Sequence, residues 1–211
     1  MAGAANIQAV IFDVGGVLDQ PADPLAEEAD RLALAAELGM GLDDLWHHLY
    51  QTEPWMLARV GRITDAEFWQ QSLARLGIYQ EANIRAFVRR HYAFKEVAPA
   101  MRALLDDLRP RVRLAIISNA TDTLESGLEG WGLTPYFEVI INSYRVGCAK
   151  PDPRIYCLAL DRLQVRPDQA VFTDDQQHNV DAAAELGIRA IRFTGVPDLT
   201  AFLEDLGLTG D

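Results

Sequence analysis

The chain is short of lysine, of cysteine and of long apolar runs. Only Lys95 and Lys150 accompany 17 arginines, and the formal net charge of the 211 residues is −12. Nonspecific nucleic-acid or anionic-membrane binding needs a basic surface, so this balance argues against both. A small anionic ligand stays open wherever positive groups converge, which makes each lysine worth locating. The two cysteines, Cys148 and Cys157, form no disulfide framework and offer no C-x-x-C or zinc spacing. Cys148 lies near Lys150, where a small-hydrophobe role is the simpler reading. No stretch approaches the ~18 apolar residues of a membrane span. Met1–Gln8 lacks the basic start of a leader. The expectation is a cytoplasmic protein, monomeric or homodimeric, with no nucleic-acid or membrane partner.

Hydrophobic residues make up 49% of the chain, which allows a substantial core. The length suits one large domain, or a core domain with a small insert. Ala9-Val10-Ile11-Phe12 reads as a fully buried strand. Asp13 follows it at the edge where open α/β sheets keep their ligands. Gly15 and Gly16 let the backbone turn sharply there. A carboxylate so placed serves as nucleophile or metal ligand, or simply caps a turn.

Four more apolar strands follow at Leu114–Ile117, Val139–Ile141, Ala170–Thr173 and Ile188–Phe193. Helical patterns cover 25–38, with Leu32, Ala35, Ala36 and Leu38 near one face, then 42–50, and 64–76 behind the capping box Thr64-Asp65-Ala66-Glu67. Others cover 81–93, 101–108, 121–130 with Thr121 as its cap, a stretch opening at Pro153, one through Val180 and Ala184, and 197–206. Near-continuous apolar strands alternating with helices imply an α/β fold, a Rossmann-like doubly wound parallel sheet of about five strands. About 100 residues separate the first strand from the second, where one crossover helix would do. The surplus, 20–95, shows helix signals and no clear strand. The predicted organisation is an α/β core domain of residues 1–19 and 96–211 with a small all-helical cap domain of residues 20–95, hinged near Asp19–Pro24 and Val97–Pro99.

Parallel strands bring their polar ends to one edge: Asp13, Ser118-Asn119 and Asp174-Asp175, joined by Lys150 from the loop after the third strand. Carboxylates this close repel unless something positive sits among them, and hard oxygen ligands suit Mg²⁺. Ser118 with a lysine and helix N-termini would hold a phosphate-like anion. Metal, phosphate and a spare carboxylate together equip a site for phosphoryl transfer.

Four motifs in order carry a resemblance: Phe12-Asp13-Val14-Gly15-Gly16-Val17, Ile117-Ser118-Asn119, Lys150-Pro151-Asp152-Pro153, and Phe172-Thr173-Asp174-Asp175 followed by Asn179. Over nearly all its length the chain resembles the haloacid dehalogenase superfamily, most members of which are Mg²⁺-dependent phosphatases. The resemblance implies that Asp13 attacks phosphorus and forms an aspartyl-phosphate. It implies that Asp13, the Gly15 carbonyl and Asp175 ligate Mg²⁺, with Asp174 and Asn179 beside them. Ser118, Asn119 and Lys150 would hold the phosphoryl oxygens of a small phosphorylated metabolite. Where such phosphatases carry a second Asp as leaving-group acid, this chain has Gly15. Some relatives with a similar Asp-x-Gly motif resemble sugar-1-phosphate phosphatases. A weakly active or non-catalytic binding protein on the same scaffold and a haloacid dehalogenase-type hydrolase are the other readings. Family dehalogenases lack the paired acids and carry an Arg soon after the first motif, where this chain has Leu18-Asp19-Gln20-Pro21.

In the cap, Trp46, His47, His48, Trp55, Arg59 and Arg62 are the residues to locate. Arg59 and Arg62 bracket Gly61 and are suited to a second anionic group on a substrate, or else are solvated. The tryptophans otherwise serve as cap core. His47 or His48 is the candidate substitute acid, and His178 flanks the fourth motif.

Overall fold

A computed structural model describes residues 6–21 and 23–210. The start of the leader-free reading at Met1–Ala5, and Ala22 within the Gln20–Pro24 breaker cluster, lie outside them. Five parallel strands form the central sheet: β1 (Ala9–Phe12), β4 (Arg113–Ser118), β5 (Val139–Asn142), β6 (Ala170–Asp174) and β7 (Arg189–Arg192), in the order β5-β4-β1-β6-β7. β1, flanked on both sides, is buried throughout. Its side chains alternate between two cores, as the period of a strand requires. Val10 and Phe12 meet Met101, Leu105 and Leu108 of α6 (Pro99–Leu108) and Leu199 and Leu203 of α11 (Val196–Asp205). Ala9 and Ile11 meet Ile155, Ala159 and Leu163 of α9 (Pro153–Leu163) and Ala183 of α10 (Gln177–Glu185). Both faces are covered, which is why these strands read as continuous apolar runs.

Between β1 and β4 lies a helical insert: α1 (Pro24–Glu37), α2 (Leu42–Tyr50), α3 (Glu53–Ala58), α4 (Asp65–Ala74) and α5 (Glu81–His91). It packs around a core of its own that includes Leu45, Leu49, Phe68, Trp69, Leu73 and Phe87. The capping box is present: Thr64 accepts from the Glu67 N–H, and Glu67 accepts from the Thr64 N–H. Two short strands, β2 (Gln20–Pro21) and β3 (Lys95–Glu96), pair antiparallel where the chain enters and leaves the insert. Two-residue strands carry no periodicity, so the reading of 20–95 as strandless missed both. It also missed α3 and the short α8 (Ser143–Val146).

Two local expectations are corrected. α1 turns Glu27, Leu34 and Ala35 inward and leaves Leu32 half exposed and Ala36 exposed. The run Leu32–Ala36 is apolar at every position, so it could not fix the helix phase, and Glu27 is tolerated inside because Arg31 pairs with it. Thr121 caps no helix. Thr123 occupies the N-cap of α7 (Leu124–Gly130) without a side-chain capping bond to the helix, and the Thr121 hydroxyl donates to Asp65 of the insert at 2.9 Å. Among the described residues no helix is long and apolar enough to cross a membrane.

Candidate active site

Register explains how the site assembles. Phe12 pairs with Ile116 on one side and Thr173 on the other, and Ser118 pairs with Asn142. The residues just beyond these positions therefore share the C-terminal edge of the sheet. Lys150 arrives from the loop after α8 and inserts its ammonium between two strand ends. It lies 2.7 Å from Asp13 Oδ1 and 2.6 Å from Asp174 Oδ2, and is 1% exposed. Burial alone would lower the lysine pKa, but Asp13 and Asp174 together outweigh burial and raise it.

The three acids differ in what remains free on each. Asp174 is fully buried and committed: Oδ2 accepts from Lys150, while Oδ1 accepts from the Gln176 N–H at 2.8 Å and the Asn179 amide at 3.0 Å. Asp175 is half-buried, and among the described residues its carboxylate accepts only from the Gln176 side chain, at 3.3 Å. Burial, and then the Asp174 charge, raise its pKa. Asp13 has Oδ1 on Lys150 and Oδ2 without a protein partner among the described residues. Burial pushes Asp13 up to about 7, against the pull of Lys150 and with the help of Asp174.

Oxygens of Asp13, Asp174 and Asp175 lie within 4.8 Å of one another. Three carboxylates against one lysine leave a surplus of negative charge in a largely buried space. The donors are all oxygen, the set that a hard divalent cation takes. Since Asp174 is committed, Asp13 and Asp175 are the carboxylates of this group with oxygen left to offer a cation. Gly16, with φ of +72°, turns the chain past this group, and a Cβ there would sit 3.0 Å from Asp175 Oδ2. Gly15 faces open space, so the missing side chain is a vacancy that a larger residue would fit.

The remaining expected residues fall in different places. Ser118 is buried at the end of β4, with no hydroxyl partner among the described residues. Asn119 uses its side chain on the Lys150 backbone, donating to the carbonyl at 2.9 Å and accepting from the N–H at 2.8 Å. Asn179 holds Asp174, and its own Oδ1 is buried without a partner among the described residues. Arg59 is half-buried at the end of α3, its Nε has no partner among the described residues, and burial lowers its pKa. Arg62 is exposed. The turn they share meets the core at Gly61, which abuts the Tyr144 carbonyl. Trp46 and Trp55 pack in the insert core. His47 Nδ1 lies 2.9 Å from Gln51 Oε1, and His48 Nε2 lies 3.0 Å from the Ser72 carbonyl oxygen. His178 is exposed.

Sequence reasoning passed over one contributor. Asp19 is buried, accepts from the Gly16 N–H at 2.7 Å and takes Lys95 at 2.6 Å. The scarcity of lysine was the available signal. It drew attention to Lys95, but not to its partner 76 positions away.

Residues 7–187 match the family of haloacid dehalogenase-like hydrolases. A phosphorylated carbohydrates phosphatase from Thermotoga maritima is 30% identical over 88% of this chain and 84% of its own length. The (S)-2-haloacid dehalogenase 1 of a Pseudomonas species is 26% identical over 90% of this chain and 86% of its own. Acyl-CoA dehydrogenase family member 10 of Mus musculus is 28% identical over 95% of this chain, which spans only 20% of that relative. Among solved structures, a HAD family enzyme of Bacteroides thetaiotaomicron, in complex with magnesium and inorganic phosphate, shares the fold with a TM-score of 0.69. It is 22% identical, covering 89% of this chain and 94% of its own.

Proposed function

The chain belongs to the haloacid dehalogenase-like hydrolase family, and from that premise we propose that it is a Mg²⁺-dependent phosphomonoester hydrolase acting on a small phosphorylated metabolite, with sugar phosphates the first class to test. One observation carries this reading. Asp174 is spent on Lys150 and Asn179, whereas Asp175 holds only the long contact to the Gln176 amide and Asp13 gives one oxygen to Lys150 in an oxygen-only cluster. That division of labour suits a cation site beside a nucleophile. Magnesium and inorganic phosphate bound to the Bacteroides enzyme fit the same chemistry.

In this reading Asp13 attacks phosphorus, the P–O bond to the leaving group breaks, the departing oxygen takes a proton from water, and an aspartyl-phosphate forms. Water then attacks that phosphorus and Asp13 departs as a carboxylate. Lys150 keeps Asp13 oriented and offsets the charge of the transferring group, and the Ser118 hydroxyl donates to a phosphoryl oxygen. Asn119 acts by fixing the Lys150 backbone. When bound, Mg²⁺ would be held by Asp13, Asp175 and the Gly15 carbonyl and would neutralise charge on the phosphoryl group. Residues 20–95 act as a cap domain over a core of 1–19 and 96–211, and Arg59, with its unpartnered Nε, meets a second anionic group of the substrate.

A second reading rests on Gly15. No side chain donates a proton to a leaving group there, and a carbon–halogen bond needs no such proton. Haloacid dehalogenases stand among the relatives. Against it stand the paired acids and the absence of an arginine in Leu18-Asp19-Gln20-Pro21.

Phosphate release from sugar phosphates and an aryl phosphate, with and without Mg²⁺, tests the proposal. Metal-dependent turnover that Asp13→Asn lowers by at least ~10³-fold is expected. Halide release from 2-haloacids without metal would establish the second reading instead. Full activity in Asp13→Asn would remove the nucleophile assignment.

A further inference from the structure

We propose that Asp19, charge-balanced by Lys95, is a positioning residue that aims the Gly15 carbonyl at the cation site. The inference rests on the Mg²⁺ site proposed above and extends it to residues outside that site. Its ground is a property of one peptide unit. The Gly15 carbonyl and the Gly16 N–H belong to the same planar group, and in a trans peptide they point to opposite sides of it. Asp19 Oδ1 accepts that N–H at 2.7 Å. Fixing the N–H therefore fixes the direction of the carbonyl.

This control matters here more than it would with another side chain at the turn. Gly15 lacks a carboxylate, so its carbonyl is the only oxygen that position supplies. Glycine is also the residue that holds its own peptide plane least firmly. Gly16 has the left-handed conformation and lies against Asp175, so the plane sits beside the acid it must work with. An N–H bonded to a carboxylate also polarises its peptide, which makes the carbonyl oxygen a better donor to a cation.

Asp19 is itself held. It is 7% exposed, and an unpaired carboxylate so buried would be costly. Lys95 from β3 supplies the countercharge at 2.6 Å. Gln20, the opposite strand's residue, donates from Nε2 to the Gly16 carbonyl at 2.5 Å. Thus both peptide groups that include Gly16 are gripped by side chains of the ribbon on which the insert hangs. A shift of that ribbon would be transmitted through these two bonds to the Gly15 carbonyl.

Mn²⁺ binding without substrate, followed by electron paramagnetic resonance and by the metal-induced rise in Tm, reads this role apart from turnover. Lys95→Met and Asp19→Ala are expected to weaken Mn²⁺ binding by ~10–100-fold, with Lys95→Arg restoring most of it. Turnover in both weakened variants should recover as Mg²⁺ is raised. If Asp19→Ala does not fold, Lys95→Met decides alone. A folded Lys95→Met that binds Mn²⁺ like the wild type and loses turnover equally at all Mg²⁺ concentrations would overturn the proposal. A wild-type protein that binds no Mn²⁺, like an Asp175→Asn control, would remove the cation site itself and this inference with it.

Discussion

Gly15 concentrates the chemistry that sets this chain apart. Its backbone conformation is ordinary and a Cβ there would meet nothing within 4 Å. Gly15→Asp therefore puts a carboxyl group where a leaving-group acid would stand, without strain. General acid catalysis contributes about 10²–10⁴-fold, and most for poor leaving groups. Steady-state turnover of a sugar phosphate by Gly15→Asp is expected to rise at least ~10-fold, while an aryl phosphate changes little. An equal change in both would mean that the acid is supplied elsewhere. The identities of Asp13, Ser118, Lys150 and the Asp174-Asp175 pair were legible in the sequence, because each ends a strand or precedes a helix. The resemblance implied Asp175 as the ligand with Asp174 beside it, but the residues alone did not say which acid of the pair Lys150 holds. That depends on Lys150 reaching Asp174 rather than Asp175, a matter of side-chain direction at a strand end.

Among the elements, the insert carries the clearest pH sensitivity. His91, at the end of α5, is buried against Trp46, Trp69 and Phe87, and its Nε2 lies in hydrogen-bond contact with the Tyr50 hydroxyl at 2.7 Å. Burial, and then the charges of Lys95 and Arg31, lower its pKa to about 3 from an ordinary 6.5. The folded state thus keeps His91 neutral where the unfolded chain would protonate it. Its contribution to stability is complete above pH 6.5 and is lost as the pH falls toward 3, on the order of a few kcal/mol in all. His91→Gln retains an acceptor for Tyr50 without the titration. Thermal unfolding followed from pH 7 to 4 should show a shallower acid loss in His91→Gln than in the wild type. An unchanged slope would place the acid sensitivity in other groups. Nothing in the sequence pointed to this histidine. Its neighbours come from three helices whose packing angles no periodicity encodes. Long amphipathic elements such as α6 and α9 were legible, because a buried stripe repeats several times along each. The ribbon was not, being held by two residue pairs.

Across the whole molecule, the fold follows from patterning, whereas the relation of insert to core follows from a few contacts. Thr121 donates to Asp65, and the Asp65 N–H donates to Asp122 at 2.7 Å, both across the boundary between insert and core. Beside them, Gly61 lies so close to the Tyr144 carbonyl that a Cβ at that position would collide with it. Only a residue without a side chain lets the turn of Arg59 and Arg62 settle there. A single methyl group at 61 would act as a doorstop. Gly61→Ala should hold the turn ajar, admit bulk water and widen the range of tolerated substrate sizes. In a panel of phosphate esters, kcat/KM for the smallest substrates is expected to fall while that for bulky ones is kept or gained. Selectivity for size would then be a matter of how tightly the molecule shuts, set by one absent atom far along the chain from the nucleophile.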